Sequence, residues 1–451
     1  MNKLNKKSES HDEMIPLRRI PEVNFYKYPP PMPASEKDKL AFTEKLELSK
    51  RLAESEQFTI FVSVPYCTVR CNSCPYFKSL LPNAADQYSF LAPYVKSIET
   101  QLDAYSNTER FSLAKCAAVY MGGGTASLLS PEQVGRVVKS VKNAFETTND
   151  IEITLEGNPA DFGKSYYERI IQFGVNRLSI GYQSAIENIL KDKLGSPHNA
   201  QEGARALNEA IGAGFRTVNV DMLYGIPGQR FEDWKSDLEI VSKLGSENIT
   251  TNSYIIYGNT LSEHRIREGT LAKPINGKER DRWYNYTVEK LEKYGYIEYR
   301  KDTFSKPGHY QKYSELTYRL SKESVGIGAG SYSLINGYQF QSTSNPDAYM
   351  KNIADGIFTS PDSYSVKADK NIMMGRFVMQ NLKVGYLSRP EFKAVFGNDP
   401  IEMYPEIFEE MQIKKLAEID SDAIRLTDFG RKWQRSIMYA FYSRELRGNL
   451  R

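Results

Sequence analysis

The stretch FVSVPYCTVRCNSCPYF, residues 61–77, contains three of the chain's four cysteines. Cys67, Cys71 and Cys74 have the spacing C-x3-C-x2-C, which is typical of metal or redox ligands. Structural zinc sites usually take four ligands in two pairs along the chain, and no second pair follows in this sequence. A cubane iron–sulfur cluster is the better match, because such clusters are bound through cysteine thiolates. With three protein ligands, one iron remains open to a small chelating molecule, which suits catalysis.

The fourth cysteine, Cys116, begins an apolar run, and we expect it to be a small buried side chain rather than a ligand. A thioredoxin-type redox motif needs C-x-x-C ahead of a helix, and Cys71 and Cys74 have that spacing. Cys67 at the end of a predicted strand argues against this alternative. Four cysteines in 451 residues are too few for a disulfide scaffold, so a reducing, cytoplasmic location is expected.

The overall composition is that of an ordinary globular protein. Hydrophobic residues make up 40% and charged residues 25% of the chain, and the net charge is +3. Near balance of charge gives no reason to expect nucleic acid or an acidic membrane surface as a partner. No apolar run approaches 18 residues, and the lysine-containing N-terminus lacks the apolar segment of a secretory signal, so neither a membrane span nor secretion is predicted.

Strand and helix patterns alternate through the first 260 residues. Strands are predicted at FTIFVSV (58–64), CAAVYM (116–121), IEITLE (151–156), NRLSIG (176–181), TVNVDML (217–223) and NSYIIY (252–257). Helices are predicted between several of them, at residues 130–145, 165–174 and 199–214. Such alternation predicts βαβ units with right-handed crossovers and a parallel sheet. The expected fold class is therefore α/β, an open six-stranded (β/α)6 barrel with a smaller C-terminal domain.

Four regions are predicted along the chain. They are an N-terminal arm (1–57) with a short helix near 35–54, the (β/α)6 unit (58–260), an extension with the glycine-rich GIGAGSYS (261–360), and a C-terminal domain (361–451). The last region shows a helix, a hairpin around IDSDAIRLT and a further helix, which predicts a winged-helix-like α+β arrangement. Because it has no basic surplus, a structural or substrate-covering role is favoured over DNA binding.

The cysteine loop follows the first predicted strand, at the carboxyl end where (β/α) barrels keep their chemistry. In this position C-x3-C-x2-C resembles the signature of radical S-adenosylmethionine (SAM) enzymes. The resemblance implies a 4Fe-4S cluster whose open iron binds SAM through its amino and carboxylate groups. It also implies that one electron from the reduced cluster cleaves SAM and yields a 5′-deoxyadenosyl radical.

Further motifs follow the next predicted strands. YMGGGTAS contains consecutive glycines that permit close backbone approach, and LEGNPADF places Glu156 at a strand end. GVNRLSIGYQS contains Arg177 and Gln183. Asp221, in VNVDMLYGIPGQ, is flanked by apolar residues and would be costly to bury without a partner.

In this order the motifs resemble the oxygen-independent coproporphyrinogen III oxidase family, from about residue 24 to the C-terminus. Several members bind two SAM molecules, and Gln183, Asp221 and the loop at 328–331 are expected at the second SAM or the substrate. Unlike the usual family pattern, the chain has Phe61, Ser63 and Ser73 around the cysteines. The cofactor contacts that the resemblance implies are Tyr66, Tyr76, Gly122, Gly123, Gly124, Thr125, Glu156, Asn158, Arg177, Gln183, Asp221, Gly328, Ala329 and Gly330.

Three functions remain open. The favoured one is transfer of a methyl or methylene group from a second SAM to an unsaturated carbon of a small natural-product or tetrapyrrole substrate, as C-methylation or cyclopropanation. The alternatives are oxidative decarboxylation of a porphyrinogen and, in another class, a heme-binding chaperone. A one-electron donor such as flavodoxin or ferredoxin and a monomeric state are expected. Candidate acid/base residues are Tyr182, His198, Asp221 and Tyr332.

Overall fold

A computed structural model describes residues 28–29, 32–76, 79–82, 86–258, 260–364 and 367–443. The chain divides into two compact units, and among the described residues the division falls between Asp369 and Lys370. Most of the predicted N-terminal arm lies outside the described residues. In the described part of the chain, no helix is both long enough and apolar enough to cross a membrane.

The strands, numbered along the chain, have the following bounds: β1 Met32–Pro33, β2 Gln57–Val64, β3 Tyr66–Cys67, β4 Ser79–Leu80, β5 Lys115–Gly123, β6 Thr147–Gly157, β7 Arg177–Gln183, β8 Thr217–Tyr224, β9 Asn248–Ser253, β10 Ile297–Arg300, β11 Thr303–Ser305, β12 Ser324–Ile327, β13 Tyr332–Ile335, β14 Tyr338–Ser342, β15 Pro361–Tyr364, β16 Tyr386–Ser388, β17 Ala417–Ile419 and β18 Ala423–Leu426.

The α-helices have the following bounds: α1 Glu36–Lys45, α2 Gln87–Ser106, α3 Pro131–Ala144, α4 Lys164–Gln172, α5 Ala200–Gly212, α6 Phe231–Leu244, α7 Leu261–Arg267, α8 Gly277–Glu292, α9 Lys312–Ser314, α10 Pro346–Ala354, α11 Lys370–Lys383, α12 Arg389–Phe396, α13 Pro400–Met403, α14 Pro405–Ile413, α15 Asp428–Lys432 and α16 Gln434–Ala440. Two π-helical turns add residues 189–194 and 315–319.

One large sheet dominates the first unit. Over the described residues its strand order is β1-β15-β14-β13-β12-β2-β5-β6-β7-β8-β9-β11-β10. The seven strands from β12 to β9 are parallel, and antiparallel strands extend the sheet on both sides. No pairing between described strands joins the two ends of this order. The α/β class with a parallel sheet is confirmed, and β12 is a parallel strand that the sequence analysis missed.

Alternation along the parallel strands sends apolar side chains to the side that the helices cover. Ile153 and Leu155 of β6 and Leu178 and Ile180 of β7 are buried in one hydrophobic core with residues of the connecting helices. The sequence of helix α3 shows why a helix forms at this position. Ser130 and Gln133 form a capping box at its start, Pro131 follows the cap, and buried valines recur at helical spacing.

The first five predicted strands are confirmed, but the sixth was placed too late. The sheet uses NITTNS of β9 (Asn248–Ser253), whereas the prediction began at residue 252. Tyr254 instead belongs to a separate apolar cluster with Ile189, Leu190 and Ile226. The apolar run YIIY therefore belongs to a buried loop that follows β9. Most side chains of β9 itself are polar.

Helix α1 is shorter than the helix predicted near 35–54. It ends at Lys45, and Glu47 has a φ of 48°. A left-handed residue cannot continue a right-handed helix, which explains the early end.

The second unit contains α11 to α16 and a three-stranded antiparallel sheet in the order β16-β18-β17. The hairpin predicted at IDSDAIRLT is confirmed as β17 and β18, where Ile419 pairs with Ile424. Helices precede and follow this hairpin, as predicted. The winged-helix-like assignment and the substrate-covering role remain predictions.

Candidate functional site

The three clustered cysteines lie on the loop that leaves the carboxyl end of β2. All three are half-buried, and none of them forms a disulfide with another described cysteine. Burial raises the pKa of Cys67, and burial together with the nearby Cys74 and Cys67 raises the pKa of Cys71 to about 12. Cys67 and Cys71 are therefore protonated in the metal-free chain, and a bound metal has to displace their protons.

The donor set fits an iron–sulfur cluster better than a single metal ion. Within the described residues, no group of three His, Cys, Asp or Glu side chains converges on a point where one ion would be held. A 4Fe-4S cluster does not require such convergence, because its cysteines bind separate irons. The thiols are nevertheless close enough for their charges to affect one another. Soft thiolates in this loop can thus hold a cluster.

Asn72 fixes the cysteine loop from within. Its backbone nitrogen donates to Leu194 O at 2.8 Å, and its side-chain Nδ2 donates to Lys193 O at 2.9 Å. Its carbonyl oxygen accepts from Ser262 N at 2.9 Å. The π-helical turn after β7 and the start of α7 therefore hold the residue between Cys71 and Cys74. Asn72 was not predicted from the sequence, where its position between Cys71 and Cys74 was the only signal.

The glycine segment at the end of β5 lies against this loop. Gly124 N donates to Val64 O and Thr125 N donates to Tyr66 O, both at 2.9 Å. A Cβ on Gly124 would lie 2.7 Å from both Val64 O and Tyr66 O, so only glycine fits there without movement of the backbone. A hydrogen bond from the Thr125 side chain also opposes the rise in the pKa of Cys67.

The glycine-rich loop after β12 is tied to the end of β2. Ser63 Oγ donates to Ala329 O at 2.8 Å, and Ala329 N donates to the Tyr94 hydroxyl at 2.8 Å. That hydroxyl donates to Ser63 O at 2.8 Å, which closes the network. Gly328 has a φ of +92°, and Gly330 is half-buried beside it. Ser63, noted in the sequence only as a departure from the family pattern, thus anchors this loop.

Polar side chains collect on the side of the parallel strands opposite the helices. They are Tyr120, Glu156, Ser179, Asn219 and Asp221, and we call them the polar face. Ser179 Oγ donates to Asp221 Oδ2 at 2.7 Å, and Asn219 Nδ2 donates to Ser179 Oγ at 2.8 Å. Tyr120 was missed by the sequence analysis, although two-residue alternation places it on the same side as Gly122.

The two carboxyl groups of the polar face influence each other. Burial and the charge of Asp221 raise the pKa of Glu156 to about 7, against the effects of a hydrogen bond from Tyr120 and the charge of Arg177. Burial also raises the pKa of Asp221, while Ser179 and Arg177 oppose that rise. Both side chains are half-buried, and a Cβ on Gly122 would lie 2.4 Å from Glu156 Oε2. The glycine segment and this carboxyl group therefore share one small space.

The other expected cofactor contacts lie at the same strand ends. Gln183 is the last residue of β7 and has a φ of 65°, a strained conformation that is frequent at functional sites. Asn158 follows β6, and its Oδ1 accepts from Ala160 N at 3.0 Å. Tyr66 is buried between the rings of Phe90 and Tyr94, whereas Tyr76 beyond the last cysteine is exposed.

Arg177 differs from these residues because it begins β7, six residues before Gln183. At about 3.3 Å per residue this separates the two Cα atoms by roughly 20 Å. Arg177 therefore lies toward the amino ends of the strands, away from the cysteine loop.

The acid/base candidates do not form one group. Asp221 belongs to the polar face, but Tyr182 and His198 pack under α5. A Cβ on Gly203 would lie 3.0 Å from Tyr182 Cε2 and 3.4 Å from His198 Cδ2. Both ring nitrogens of His198 are engaged, Nδ1 with Ser196 Oγ and Nε2 with Tyr182 O. His198 is thus held in place by its neighbours, and its acid/base role stays a prediction.

Tyr332, the fourth acid/base candidate, lies beyond the 328–330 loop. Its hydroxyl donates to Gln341 Oε1 at 2.9 Å, and burial raises its pKa to about 12.

Known proteins are similar to this chain in sequence and in fold. The Radical SAM superfamily matches residues 61–241, which include the cysteine loop, the glycine segment and the polar face. Coproporphyrinogen III oxidase from Escherichia coli superposes with a TM-score of 0.74 at 19% identity, over 89% of this chain and 93% of that one. The chain has the radical SAM fold. Radical SAM proteins bind a 4Fe-4S cluster and SAM, and the three thiols of the cysteine loop fit such a cluster.

Curated relatives are similar over most of the chain. The heme chaperone HemW of Lactococcus lactis subsp. lactis is 28% identical over 82% of this chain and 93% of its own length. HemW of Bacillus subtilis is 24% identical over 84% of this chain and 98% of its own length. The anaerobilin synthase of Escherichia coli O157:H7 is 22% identical over 89% of this chain and 87% of its own length. These relatives support neither the methylase or cyclopropanase branch favoured by the sequence analysis nor a second SAM.

Proposed function

We propose that the chain is a radical SAM enzyme that binds a 4Fe-4S cluster through Cys67, Cys71 and Cys74 and cleaves SAM to act on a tetrapyrrole-class substrate. The observation that carries this proposal is the three-cysteine loop at the carboxyl end of β2, beside the glycine segment and the polar face. When bound, the cluster and SAM would supply a 5′-deoxyadenosyl radical for hydrogen abstraction. The substrate class is supported by the names of the relatives and by the fold shared with coproporphyrinogen III oxidase.

The chain's own residues would bind and orient the ligands. Gly122 to Gly124 lack side chains, so a cofactor can approach the backbone there. Glu156 would accept a hydrogen bond from an ammonium group, and Asp221 would accept one from a hydroxyl or ammonium group farther along the polar face. The 328–330 loop, held by Ser63 and Tyr94, would close the space from the side of β12. A flavodoxin or ferredoxin in the cytoplasm would supply the electron to a monomeric enzyme.

The decisive experiment is anaerobic reconstitution of the full chain with iron and sulfide, followed by reduction and addition of SAM. We expect about four irons per chain and formation of 5′-deoxyadenosine. The triple variant with Cys67, Cys71 and Cys74 changed to Ala should lose both. Cys116→Ala is the matched control, because this cysteine is fully buried in β5, and it should keep both. Iron retained by the triple variant would refute the cluster assignment.

A heme-binding chaperone is the second candidate, because the HemW relatives bear that name. Heme titration of the reconstituted chain, followed by absorbance, separates the two functions. Tight heme binding without 5′-deoxyadenosine formation would establish the chaperone and overturn the enzyme. The same assay tests the methyl-transfer hypothesis of the sequence analysis, which requires S-adenosylhomocysteine as an additional product.

A further inference from the structure

A second layer of side chains lies on the polar face, one level nearer the amino ends of the strands than Glu156. Tyr120 of β5 pairs in register with Thr154 of β6, and Thr154 pairs with Arg177 of β7. Register partners in a parallel sheet point to the same side and lie about 4.8 Å apart. Thr154 and Arg177 are therefore direct neighbours beneath Glu156 and Ser179.

Arg177 is buried but incompletely hydrogen-bonded. Its side chain is only 2% exposed, and Nη2 donates to Asn248 Oδ1 at 3.2 Å. Its Nε and Nη1 atoms have no hydrogen-bond partner among the described residues. Three guanidinium N–H groups on these two nitrogens are thus left without an acceptor among the described residues, and a buried charged donor in that state destabilises the fold.

Thr154 is a second buried side chain with an unused hydrogen-bond donor. It is fully buried, and within the described part of the chain its Oγ1 has no hydrogen-bond partner. Two adjacent side chains with unused donors on one face indicate that an acceptor from outside the chain completes this layer.

The charges around this layer permit an anion. Arg177 acts on both Glu156 and Asp221, and Arg300 acts on Asp221. Two guanidinium groups therefore face two carboxyl groups. Because the pKa of Glu156 is raised to about 7, this group carries a proton for part of the time near neutral pH, and the negative charge that acts on Arg177 is then reduced.

We propose that Arg177 and Thr154 form a binding site for a carboxylate group of the substrate. The Nε–H of Arg177 and the adjacent Nη2–H, which is the second hydrogen of the nitrogen that donates to Asn248, match the two oxygens of a carboxylate. The threonine hydroxyl adds a third donor. The site lies one layer, about 6.6 Å along the strands, below Glu156, so the carboxylate points away from the cysteine loop and the rest of the substrate extends toward it. This gives Arg177 a substrate contact instead of the SAM contact that the resemblance implies. The inference rests on the proposed function for the identity of the ligand as substrate.

Thermal unfolding of the full-length, cluster-free chain tests this site with propionate as the probe. Propionate at ten times its Kd should raise the melting temperature by about 2 °C, while propionamide and equal concentrations of sodium chloride should not. Arg177→Lys keeps the charge but loses the paired N–H groups, and Thr154→Val keeps the shape but loses the hydroxyl. Both should weaken propionate binding several-fold. Arg216→Lys, at an exposed arginine, should bind propionate like the parent chain.

No propionate response in the parent chain, or an undiminished response in both Arg177→Lys and Thr154→Val, would overturn the site and assign its donors to water. If Arg177→Lys does not fold, Thr154→Val alone decides between these outcomes. A failure of the proposed function has a different signature, because 5′-deoxyadenosine would then not form although propionate still binds through Arg177.

Discussion

At the scale of single residues, Glu156 shows how burial changes the pKa of a carboxyl group. The strand end removes the carboxyl group from water and places it near Asp221, and the ordinary pKa of 4.5 rises to about 7. A protonated Glu156 can donate a hydrogen bond, whereas an ionised one can only accept. The protonation state of this group therefore sets which partner the polar face can bind.

The raised pKa of Glu156 predicts a pH dependence of stability. Between pH 4.5 and 7 the folded chain keeps a proton that the unfolded chain has lost, so this group's contribution to the free energy of unfolding falls as the pH rises. A pKa about 2.5 above the ordinary value corresponds to a loss of about 3 kcal/mol. Glu156→Gln cannot ionise, so its stability relative to the parent chain should increase by about this amount from pH 4 to pH 8.

Urea denaturation of both cluster-free chains at several pH values measures this difference. Glu418→Gln, at an exposed position of β17, should track the parent chain at every pH. A constant difference between Glu156→Gln and the parent chain would contradict the raised pKa.

At the scale of elements, the end of β5 and the end of β2 depend on each other. Gly124 leaves the sheet through a gap bounded by the backbone oxygens of Val64 and Tyr66, directly before Cys67. The cysteine loop and the glycine segment are therefore one structural unit, although 50 residues separate Cys74 from Gly124.

Gly124→Ala is predicted to disturb both segments. Its Cβ would lie 2.7 Å from two backbone oxygens, which cannot move as a flexible side chain would. We expect a loss of about 2 kcal/mol in the free energy of unfolding and faster release of iron to a chelator from the reconstituted chain. Gly258→Ala, where a Cβ meets nothing within 4 Å and the backbone has no positive φ, is the matched control and should leave both measurements nearly unchanged. Equal behaviour of the two variants would show that the close approach has no consequence.

At the scale of the whole first unit, β12 joins β2 as a parallel strand and brings the 328–330 loop to the cysteine loop. An ion pair between Arg110 and Glu323 supports this junction, and Glu323 O also accepts from Thr59 N of β2 at 3.0 Å. Arg110 Nη1 donates in addition to Lys50 O at 3.1 Å. Contacts between residues this distant in sequence hold the last parallel strand in place.

Arg110→Met should therefore destabilise the chain substantially. The Arg110 and Glu323 side chains are 9% and 16% exposed, so removal of one partner leaves a largely buried charge and costs about 3 kcal/mol. Arg169→Met is the comparison, because its pair with Glu132 is 47% and 62% exposed and contributes no more than about 1 kcal/mol. Denaturant unfolding monitored by circular dichroism gives both values. Similar losses in the two variants would show that burial does not strengthen the first pair.

The sequence by itself determined the parallel α/β sheet and the ligand loop. Alternating apolar runs specify strands that are buried on one side, and the spacing of Cys67, Cys71 and Cys74 identifies the ligands because all three lie in one short segment. One error of the strand prediction was also local. The apolar run after Ser253 was mistaken for a strand, because periodicity does not distinguish a strand from a buried loop.

Only the tertiary structure decided which side chains meet. His198 and Tyr182 lie under a helix, whereas Tyr120, Glu156 and Asp221 share the polar face, and the register between strands brings Thr154 next to Arg177. Register and crossover geometry are properties of the whole sheet, so no window of sequence contains them. The cysteine spacing alone predicts the kind of cofactor. The packing of strands that are far apart in the chain decides which other side chains surround its site.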